Sequence, residues 1–566
     1  MKRSERDEQA RRNFLAWFGG AGLTSTLFPG ALWACFQGSG EDTVNLGMMK
    51  QAAALAGLEF TDEEYDLMVE DVNENLAHYE EMRETSLDNS VPPPLYFNPV
   101  VPGMRFDRAQ RDLRLAPVPE TTRPDDLEDV AFWSVTRLAR LIETRAVSAI
   151  ELTEMYLARL ERLNPLLNCV VTLTADRARE QARAADEEIA AGRYRGPLHG
   201  IPWGAKDIIA VAGYRTTWGA APFENQVIDL DAAVVERLDA AGAVLVAKVT
   251  TGELAFGHNW YGGRTNNPWK PDEGSSGSSA GSGSATGGGL VGFAIGTDTG
   301  GSILSPSVRC GVVGLRPTFG RVSRYGVMAA GYTLDKIGPM TRTVEDNALV
   351  LHTIAGRNEN ERDLAVPEGV PFNWDGEAAT DDLRIGYFES AFGDAESFED
   401  DEAQAHGART LETLRGLGYE LTPVEIPRNR LTYFIEYVER AAGFDEFKRN
   451  RLDENLRRQG HRGELRASHL VPAVEYLQAN RIRYLLMQEM AEILDGLDAV
   501  VSPWRAINPL TSMTGHPVVT VPNGFAGDGT PTGIALLGRI YGEERLLLAA
   551  RTLEENTDYH LHHPDL

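Results

Sequence analysis

Cysteine is scarce in this sequence, and metal-binding patterns are missing from it. Its 566 residues include three cysteines, Cys35, Cys169 and Cys310, too few and too widely spaced for a disulfide framework or a cysteine-based zinc site. Neither a HExxH helix nor an EF-hand loop occurs, and the eleven histidines are dispersed. These absences do not exclude a metal enzyme, but nothing in the sequence argues for one, and we predict no cofactor.

Basic residues are also few relative to acidic ones. The chain has 55 Lys and Arg against 83 Asp and Glu, a formal net charge of −28. A surface of this sign repels a phosphate backbone, so nucleic acid is not expected as a partner. Hydrophobic residues at 42% and charged residues at 24% are typical of a soluble globular enzyme, and no stable membrane span is predicted.

The first 34 residues have the pattern of an export signal. In "ARRNFLAWFGGAGLTSTLFPGALWAC", Arg11 and Arg12 precede a weakly apolar run, and the segment resembles a twin-arginine signal peptide. Glycines and a proline within the run disfavour the alternative, a buried helix or membrane anchor. We therefore predict export to the periplasm or the medium with cleavage near Ala34; lipid anchoring through Cys35 is the lesser alternative.

The sequence divides into the signal peptide (1–34), a helical extension with a linker (35–127) and a catalytic domain (128–566). The extension has apolar residues at helical spacing, with Thr61 ahead of an acidic first turn, and resembles the small C subunit of tRNA-dependent amidotransferases. From about Glu128, helical and short apolar runs alternate. This alternation predicts an α/β fold with a mixed, mostly parallel β-sheet between helical layers.

A segment rich in glycine and serine, "GSSGSSAGSGSATGGG" at 274–289, has the composition of a flexible linker. It leads directly into "LVGFAIG", however, which is apolar enough to be a buried strand. We therefore predict a packed loop in which glycine allows close approach of the backbone. The pattern GxSxG at 277–281 also matches a nucleophile elbow centred on Ser279, but that motif requires a preceding strand, and "NNPWKPDE" reads as a loop.

Two further segments, "GIPWGAKDII" and "GTDTGGSILSPSVRCGVVGLRPT", accompany this loop. Together the three resemble the amidase signature family, whose pattern is GIPxxxKD, GGSSGGS, GTDTGGSIRxP and CGxxGLKPT. The resemblance extends from about Glu128 almost to the end of the chain. Residue by residue, it implies Lys206 as the catalytic base, Ser278 as a proton relay and Ser302 as the nucleophile, with a cis peptide bond entering Ser278.

The chemistry of lysine agrees with this assignment. A serine hydroxyl is a poor nucleophile until a base takes its proton, and lysine is a base only when neutral. Burial can lower a lysine pKa from about 10.4 to near 7, and Lys206 lies between apolar residues. The alternatives are a surface lysine paired with Asp207, and turn serines at Ser278 and Ser279 that bond only to local backbone.

The glycines before Ser302 predict an oxyanion hole. They free the backbone N–H groups of Thr299, Gly300, Gly301 and Ser302 to converge on one point, and we expect Asp298 to brace the loop.

Three positions depart from the family pattern. Ser276 and Ala280 replace glycines, and Leu304 replaces the arginine that follows GGSI, while Arg309 occurs five residues later. The change at Leu304 puts the charge network around the loop in question.

We therefore predict an exported amidase that hydrolyses the C–N bond of a small-molecule carboxylic amide through an acyl-enzyme, with Ser279 and Asp298 in support. A homo-oligomer is left open. One alternative is the A subunit of a tRNA-dependent amidotransferase, acting as a glutaminase; another is an exported binding protein that has lost catalysis, motivated by Leu304. Trp260, Tyr261 and Met328 are candidates for the acyl pocket, or else core residues.

Overall fold

The computed structural model describes residues 44–82, 84, 89, 91, 95–357, 361–427 and 434–566. By its internal contacts the chain divides into two compact units, Met1–Leu87 and Asp88–Leu566. The predicted signal peptide and Cys35 lie outside the described residues, so the export and lipid-anchor predictions stay predictions. Within the described ranges, no helix combines the length and the apolar character needed to cross a membrane.

The described part of the smaller unit is a pair of helices, α1 (Leu46–Leu55) and α2 (Asp62–Met82). The Thr61 backbone N–H donates to the Glu64 carboxylate at 2.6 Å, and the Glu64 N–H donates to the Thr61 hydroxyl at 3.3 Å. This reciprocal arrangement is a capping box, so Thr61 precedes the helix as the sequence predicts. Met49 and Tyr65 belong to the small buried apolar cluster of this unit.

One large sheet organises the second unit. In its described part, eleven strands are hydrogen-bonded in the order β1-β3-β2-β6-β8-β7-β12-β13-β11-β9-β10, and β4 pairs separately with β5. The strands are β1 (Val170–Leu173), β2 (Pro202–Lys206), β3 (Val244–Val249), β4 (Asn259–Trp260), β5 (Gly263–Arg264), β6 (Phe293–Asp298), β7 (Val313–Arg316), β8 (Lys336–Thr341), β9 (Ile385–Phe388), β10 (Thr422–Val424), β11 (Ala499–Ser502), β12 (Val518–Phe525) and β13 (Pro531–Leu537).

The sheet is mixed, and its middle departs from the mostly parallel arrangement expected from the sequence. The pairs β3-β2, β2-β6, β11-β9 and β9-β10 are parallel, whereas the other neighbouring pairs are antiparallel. Parallel neighbours need a crossover connection, usually a helix. The connections 317–335 and 526–530 contain no helix, so the strands that they join run in opposite directions.

Helices cover the sheet. The α-helices of the second unit are α3 (Val135–Glu143), α4 (Ala149–Leu167), α5 (Ala175–Ala190), α6 (Ala233–Ala240), α7 (Ala280–Gly287), α8 (Leu304–Cys310), α9 (Val344–Ile354), α10 (Glu389–Phe392), α11 (Asp401–Gly416), α12 (Phe434–Gly443), α13 (Asp445–Arg449), α14 (Gln459–Ala467), α15 (Ala473–Ile493), α16 (Trp504–Thr514) and α17 (Glu543–Glu555). Short 3-10 helices lie at Leu127–Val130, Ala221–Phe223, Glu253–Ala255, Ala395–Ser397, Leu452–Asn455, Ser468–Leu470 and Tyr559–Leu561.

The central strands are shielded from solvent on both faces. Every residue of β2, β3, β6, β7, β8 and β11 is buried. Successive side chains of a strand point to opposite faces, so burial of all of them requires a cover on each side. The predicted α/β architecture, a mixed sheet between helical layers, is confirmed.

Candidate active site

Two neighbouring strands bring the first site residues together. Strands β2 and β6 are parallel neighbours with Ala205 opposite Ile295, and Lys206 is the last residue of β2. Thr297 and Asp298 end β6. Because the carboxyl ends of parallel strands lie at the same edge of a sheet, Lys206 and Thr297 meet there.

The Lys206 ammonium group is enclosed by hydroxyl oxygens. Its Nζ atom donates to Thr297 Oγ1 at 2.7 Å, to Ser278 Oγ at 2.8 Å and to Ser279 Oγ at 3.1 Å. The Lys206 side chain has no exposed surface. Lys206 is therefore not a surface lysine, and its direct contact with Ser278 is one of the two contacts that a relay between Lys206 and Ser302 requires.

Burial changes the acidity of this lysine. It lowers the pKa of Lys206 to about 7, against an opposing influence from the negative charges of Asp298 and Asp335. Desolvation disfavours the charged form of a buried lysine. At neutral pH a large fraction of Lys206 is therefore unprotonated and able to accept a proton.

The glycine- and serine-rich segment is a packed element and not a linker. The peptide bond between Gly277 and Ser278 is cis. A Cβ atom on Gly277 would lie 2.0 Å from the Gly257 carbonyl oxygen, so only glycine fits there. Every residue of α7, which follows at Ala280–Gly287, is buried. The close backbone approach predicted from the composition is therefore present.

Ser302 joins this loop from the other side. The Ser279 N–H donates to the Ser302 carbonyl oxygen at 3.0 Å. Ser302 is partly exposed, and within the described chain its hydroxyl makes no hydrogen bond. Ser279 also donates from its hydroxyl to the Thr297 carbonyl at 3.0 Å, so it links the lysine, the loop and β6.

Asp298 holds the turn before Ser302, as the sequence predicts. Its carboxylate accepts the N–H groups of Gly301 at 2.8 Å and Ile303 at 2.7 Å. The Gly301 N–H is therefore turned to Asp298, and the expectation that it belongs to the oxyanion hole is corrected. The N–H groups of Thr299, Gly300 and Ser302 donate to nothing in the described chain, which leaves them available to an oxyanion.

The positive charge that the family's arginine would supply after GGSI is supplied here by a residue of another strand. Leu304 is fully buried in an apolar cluster, and Arg309 pairs with Glu273. Arg316 instead contacts the Asp298 carboxylate at 3.1 Å. Burial alone would raise the pKa of Asp298, but the charges of Arg316 and Lys336, together with the two backbone hydrogen bonds, outweigh it, and the net shift is downward. Sequence reasoning missed Arg316, although it stands at the lysine position of the family's GLKPT.

A second buried ion pair involves Asp207, the residue that follows Lys206 in the sequence. Asp207 Oδ1 is 2.8 Å from Lys248 Nζ, and both side chains are fully buried. The sequence offered one signal for Lys248, a single lysine within the apolar strand "VLVAKV". Among the described residues, no group of three or more His, Cys, Asp or Glu side chains is placed to hold a metal ion.

Comparison with known proteins supports the resemblance. The amidase family model matches residues 151–513. The glutamyl-tRNA(Gln) amidotransferase subunits A of Methylococcus capsulatus and Geotalea daltonii are 35% and 33% identical, over 76% and 74% of this chain and 98% and 96% of theirs.

Solved structures agree. The peptide amidase from Stenotrophomonas maltophilia superposes with a TM-score of 0.67 at 28% identity, over 76% of this chain and 98% of its own. An amidase family protein from Bacillus anthracis gives a TM-score of 0.68 at 26% identity, over 78% and 93%. The chain belongs to the amidase signature family, whose members act on carbon–nitrogen bonds.

Proposed function

We propose that this protein hydrolyses a carboxylic amide with Ser302 as the nucleophile, Ser278 as the proton relay and Lys206 as the base. One observation carries the proposal: the fully buried Lys206 Nζ lies 2.8 Å from Ser278 Oγ. A buried amine beside a hydroxyl can take a proton at neutral pH, because burial lowers its pKa to about 7.

The reaction proceeds in two halves. The Ser302 oxygen attacks the amide carbon while its proton passes to Ser278, and the Ser278 proton passes to Lys206. The resulting oxyanion accepts hydrogen bonds from the free N–H groups near Ser302. When the C–N bond breaks, the same relay returns the proton to the departing amine. Water then attacks the acyl-enzyme and yields a proton to the relay. The bond between the acyl carbon and the Ser302 oxygen breaks, the relay returns the proton to that oxygen, and the carboxylic acid is released.

Covalent labelling tests the assignment. A serine-directed fluorophosphonate should add one adduct to the wild-type protein, detected as intact mass. Ser302→Ala should remove the adduct, and Lys206→Ala should slow its formation by about a hundredfold or more, as expected for loss of a general base. A folded wild-type protein that gains no adduct would favour the alternative of a binding protein without catalysis.

The similar curated proteins favour a more specific candidate. Subunits A of glutamyl-tRNA(Gln) amidotransferase match over 95–99% of their own length at 30–35% identity. This similarity supports the amidotransferase A subunit, with partner subunits and glutamine as the substrate, over a free-standing exported amidase. Ammonia release from glutamine by the purified chain, with and without candidate partner subunits, distinguishes the two functions.

Export remains a separate proposal that rests on the twin-arginine pattern before residue 34. Fractionation of cells that produce the wild type or the Arg11→Lys/Arg12→Lys variant tests it. Retention of the variant alone in the cytoplasm supports export. Equal cytoplasmic retention of both proteins argues against it. The partner expected in the exported case is a small-molecule amide, and the charge of −28 disfavours direct contact with nucleic acid.

A further inference from the structure

A cavity of about 520 Å³ adjoins the candidate active site. Its wall includes Thr297, whose hydroxyl accepts a hydrogen bond from Lys206, and Thr299, whose N–H is free to meet an oxyanion. Pockets that bind small molecules usually measure about 300–1,000 Å³. The cavity is therefore of the size of a ligand site, and two of its lining residues, Thr297 and Thr299, also belong to the candidate active site.

The inner wall of the cavity is apolar. Ile208, Trp218, Met328 and Ala330 line it, and all four belong to one buried hydrophobic cluster. The Trp218 indole N–H has no hydrogen-bond partner in the described chain. Met328 was a candidate pocket residue in the sequence, and it does line the cavity. Such a wall gains free energy by covering apolar ligand surface.

The solvent end of the cavity is marked by exposed apolar side chains. Leu95 and Leu364, at 59% and 57% exposure, contribute to the lining there. Trp260 and Tyr261, the other candidates from the sequence, are not among the residues that line this cavity and pack against each other with ring centroids 4.8 Å apart.

Three charged side chains of the cavity wall, Arg324, Asp363 and Arg362, form ion pairs. Arg324 contacts Asp363 through two hydrogen bonds of 2.8 and 3.0 Å, and Arg362 contacts Glu236 at 2.8 Å. Lys336 donates to a backbone carbonyl, and burial lowers its pKa to about 7. Lys336 is therefore the one lining cation without a carboxylate partner among the described residues, and burial disfavours its charged form.

The acidic side of the wall is similarly engaged. Asp335 accepts the Thr299 hydroxyl at 2.6 Å and the backbone N–H groups of Ala330 and Gly331 at 2.8 and 3.0 Å. A free amino acid such as glutamine carries both an ammonium and a carboxylate, and each needs a counter-charge when it is buried. The wall offers the Asp335 carboxylate to an ammonium group, but to a carboxylate it offers only Lys336, whose charged form burial disfavours. Together with the apolar inner wall, this favours a neutral group over a zwitterion.

The acyl group of an amide substrate stays in the active site longer than the amine does. It remains bound to Ser302 through the acyl-enzyme, whereas the amine leaves and water enters. We infer that this cavity holds a neutral, apolar acyl group of aryl-alkyl size, and that amides of such acids are the substrates of this enzyme. This inference rests on the proposed function, because it requires an acyl-enzyme at Ser302.

Filling the cavity tests the inference. Ile228→Trp adds bulk to the lining, and Leu230→Trp does so at a second lining position in case the first variant fails to fold. Val227→Trp is the matched control, because Val227 is 54% exposed and is not part of the lining.

Two fluorophosphonates, one with a methyl and one with a phenylbutyl group, are compared by their rates of adduct formation at Ser302. Ammonia release is measured from acetamide, 4-phenylbutyramide and glutamine.

We expect the phenylbutyl probe to label the wild type at least tenfold faster than the methyl probe, and 4-phenylbutyramide to be the best of the three amides. Ile228→Trp should lower the phenylbutyl rate at least tenfold more than the methyl rate, so that the preference is lost, and Val227→Trp should change neither rate. Equal rates for both probes, an unaffected preference in the folded variants, parallel loss of both rates, or glutamine as the best substrate would each overturn the inference. Absence of methyl labelling at Ser302 would instead refute the proposed function itself.

Discussion

The Arg316 guanidinium lies 3.1 Å from the Asp298 carboxylate, and both side chains are completely buried. Asp298 uses the same carboxylate to hold two backbone N–H groups of the loop that carries Ser302. Leu304, at the position of the family arginine, packs among apolar side chains and cannot supply this charge. The counter-ion of the loop thus comes from β7.

Replacing Arg316 by methionine should destabilise the protein strongly. Removal of Arg316 leaves the Asp298 charge buried without the cation that contacts it, which typically costs about 3–5 kcal/mol. Urea unfolding measures the loss, and labelling of Ser302 should slow because the loop is no longer held. Arg309→Met is the control, since its pair with Glu273 is partly exposed and should change stability by about 1 kcal/mol or less. Similar small losses in both variants would contradict this account of Arg316.

The reaction should depend on the protonation of Lys206. Burial lowers the pKa of Lys206 to about 7, and only the neutral amine accepts a proton. The kcat/KM for a neutral amide should therefore be low at acid pH, rise through about pH 7 and level off above it. A pH–rate profile measures this, with Lys206→Ala as the comparison. Persistence of the same inflection in Lys206→Ala would show that another group is the base.

Gly277 should not tolerate a side chain. Alanine would place its Cβ atom 2.0 Å from the Gly257 carbonyl oxygen, so the backbone of one of the two segments must shift. A shift of the Gly277 segment changes the position of the adjoining Ser278 relative to Lys206. We expect Gly277→Ala to lose at least about a hundredfold in the rate of Ser302 labelling, because the relay depends on that distance. Gly416→Ala is the control, since a Cβ atom there meets nothing within 4 Å. Normal labelling of folded Gly277→Ala would refute the close-approach explanation.

Motifs in the sequence led to the residues of the site because each motif is local. The segments around Lys206, Ser278 and Ser302 each match a short sequence pattern. Proton transfer between a base, a relay and a nucleophile requires these three side chains to lie close together in the fold. The cis bond before Ser278 followed from the same resemblance and is present.

The ion-pair partners, the direction of the Gly301 N–H and the strand directions could not be predicted from short stretches of sequence. Arg316 and Lys248 are distant in sequence from Asp298 and Asp207, the groups that they contact. The sequence of a strand does not show which carboxylate a cation in it pairs with, because that depends on the neighbouring strands. The direction of the Gly301 N–H depends on how the turn is held by Asp298, which composition does not specify. Strand directions in the middle of the sheet depended on connections without helices, which the alternation of helical and apolar runs did not reveal.

The Asp207–Lys248 pair allows a prediction about the support of the base. Asp207 follows Lys206 directly, accepts the Thr217 N–H at 2.9 Å and lies 2.8 Å from Lys248 Nζ, with both charged side chains fully buried. Lys248→Met should therefore cost about 3–5 kcal/mol of stability, because it leaves the Asp207 carboxylate buried without its cation.

A double-mutant cycle separates this pairing from simple loss of packing. Asp207→Asn keeps a side chain that can still accept from Thr217 but removes the charge, so Lys248→Met should cost much less in that background. We expect a coupling energy above about 1 kcal/mol from urea unfolding of the four proteins. Arg140→Met, which breaks an exposed pair with Glu143, is the control and should be additive with Asp207→Asn. Additive losses for Asp207→Asn and Lys248→Met would mean that the two buried groups stabilise the strand end independently and that the ion pair does not hold the base in place.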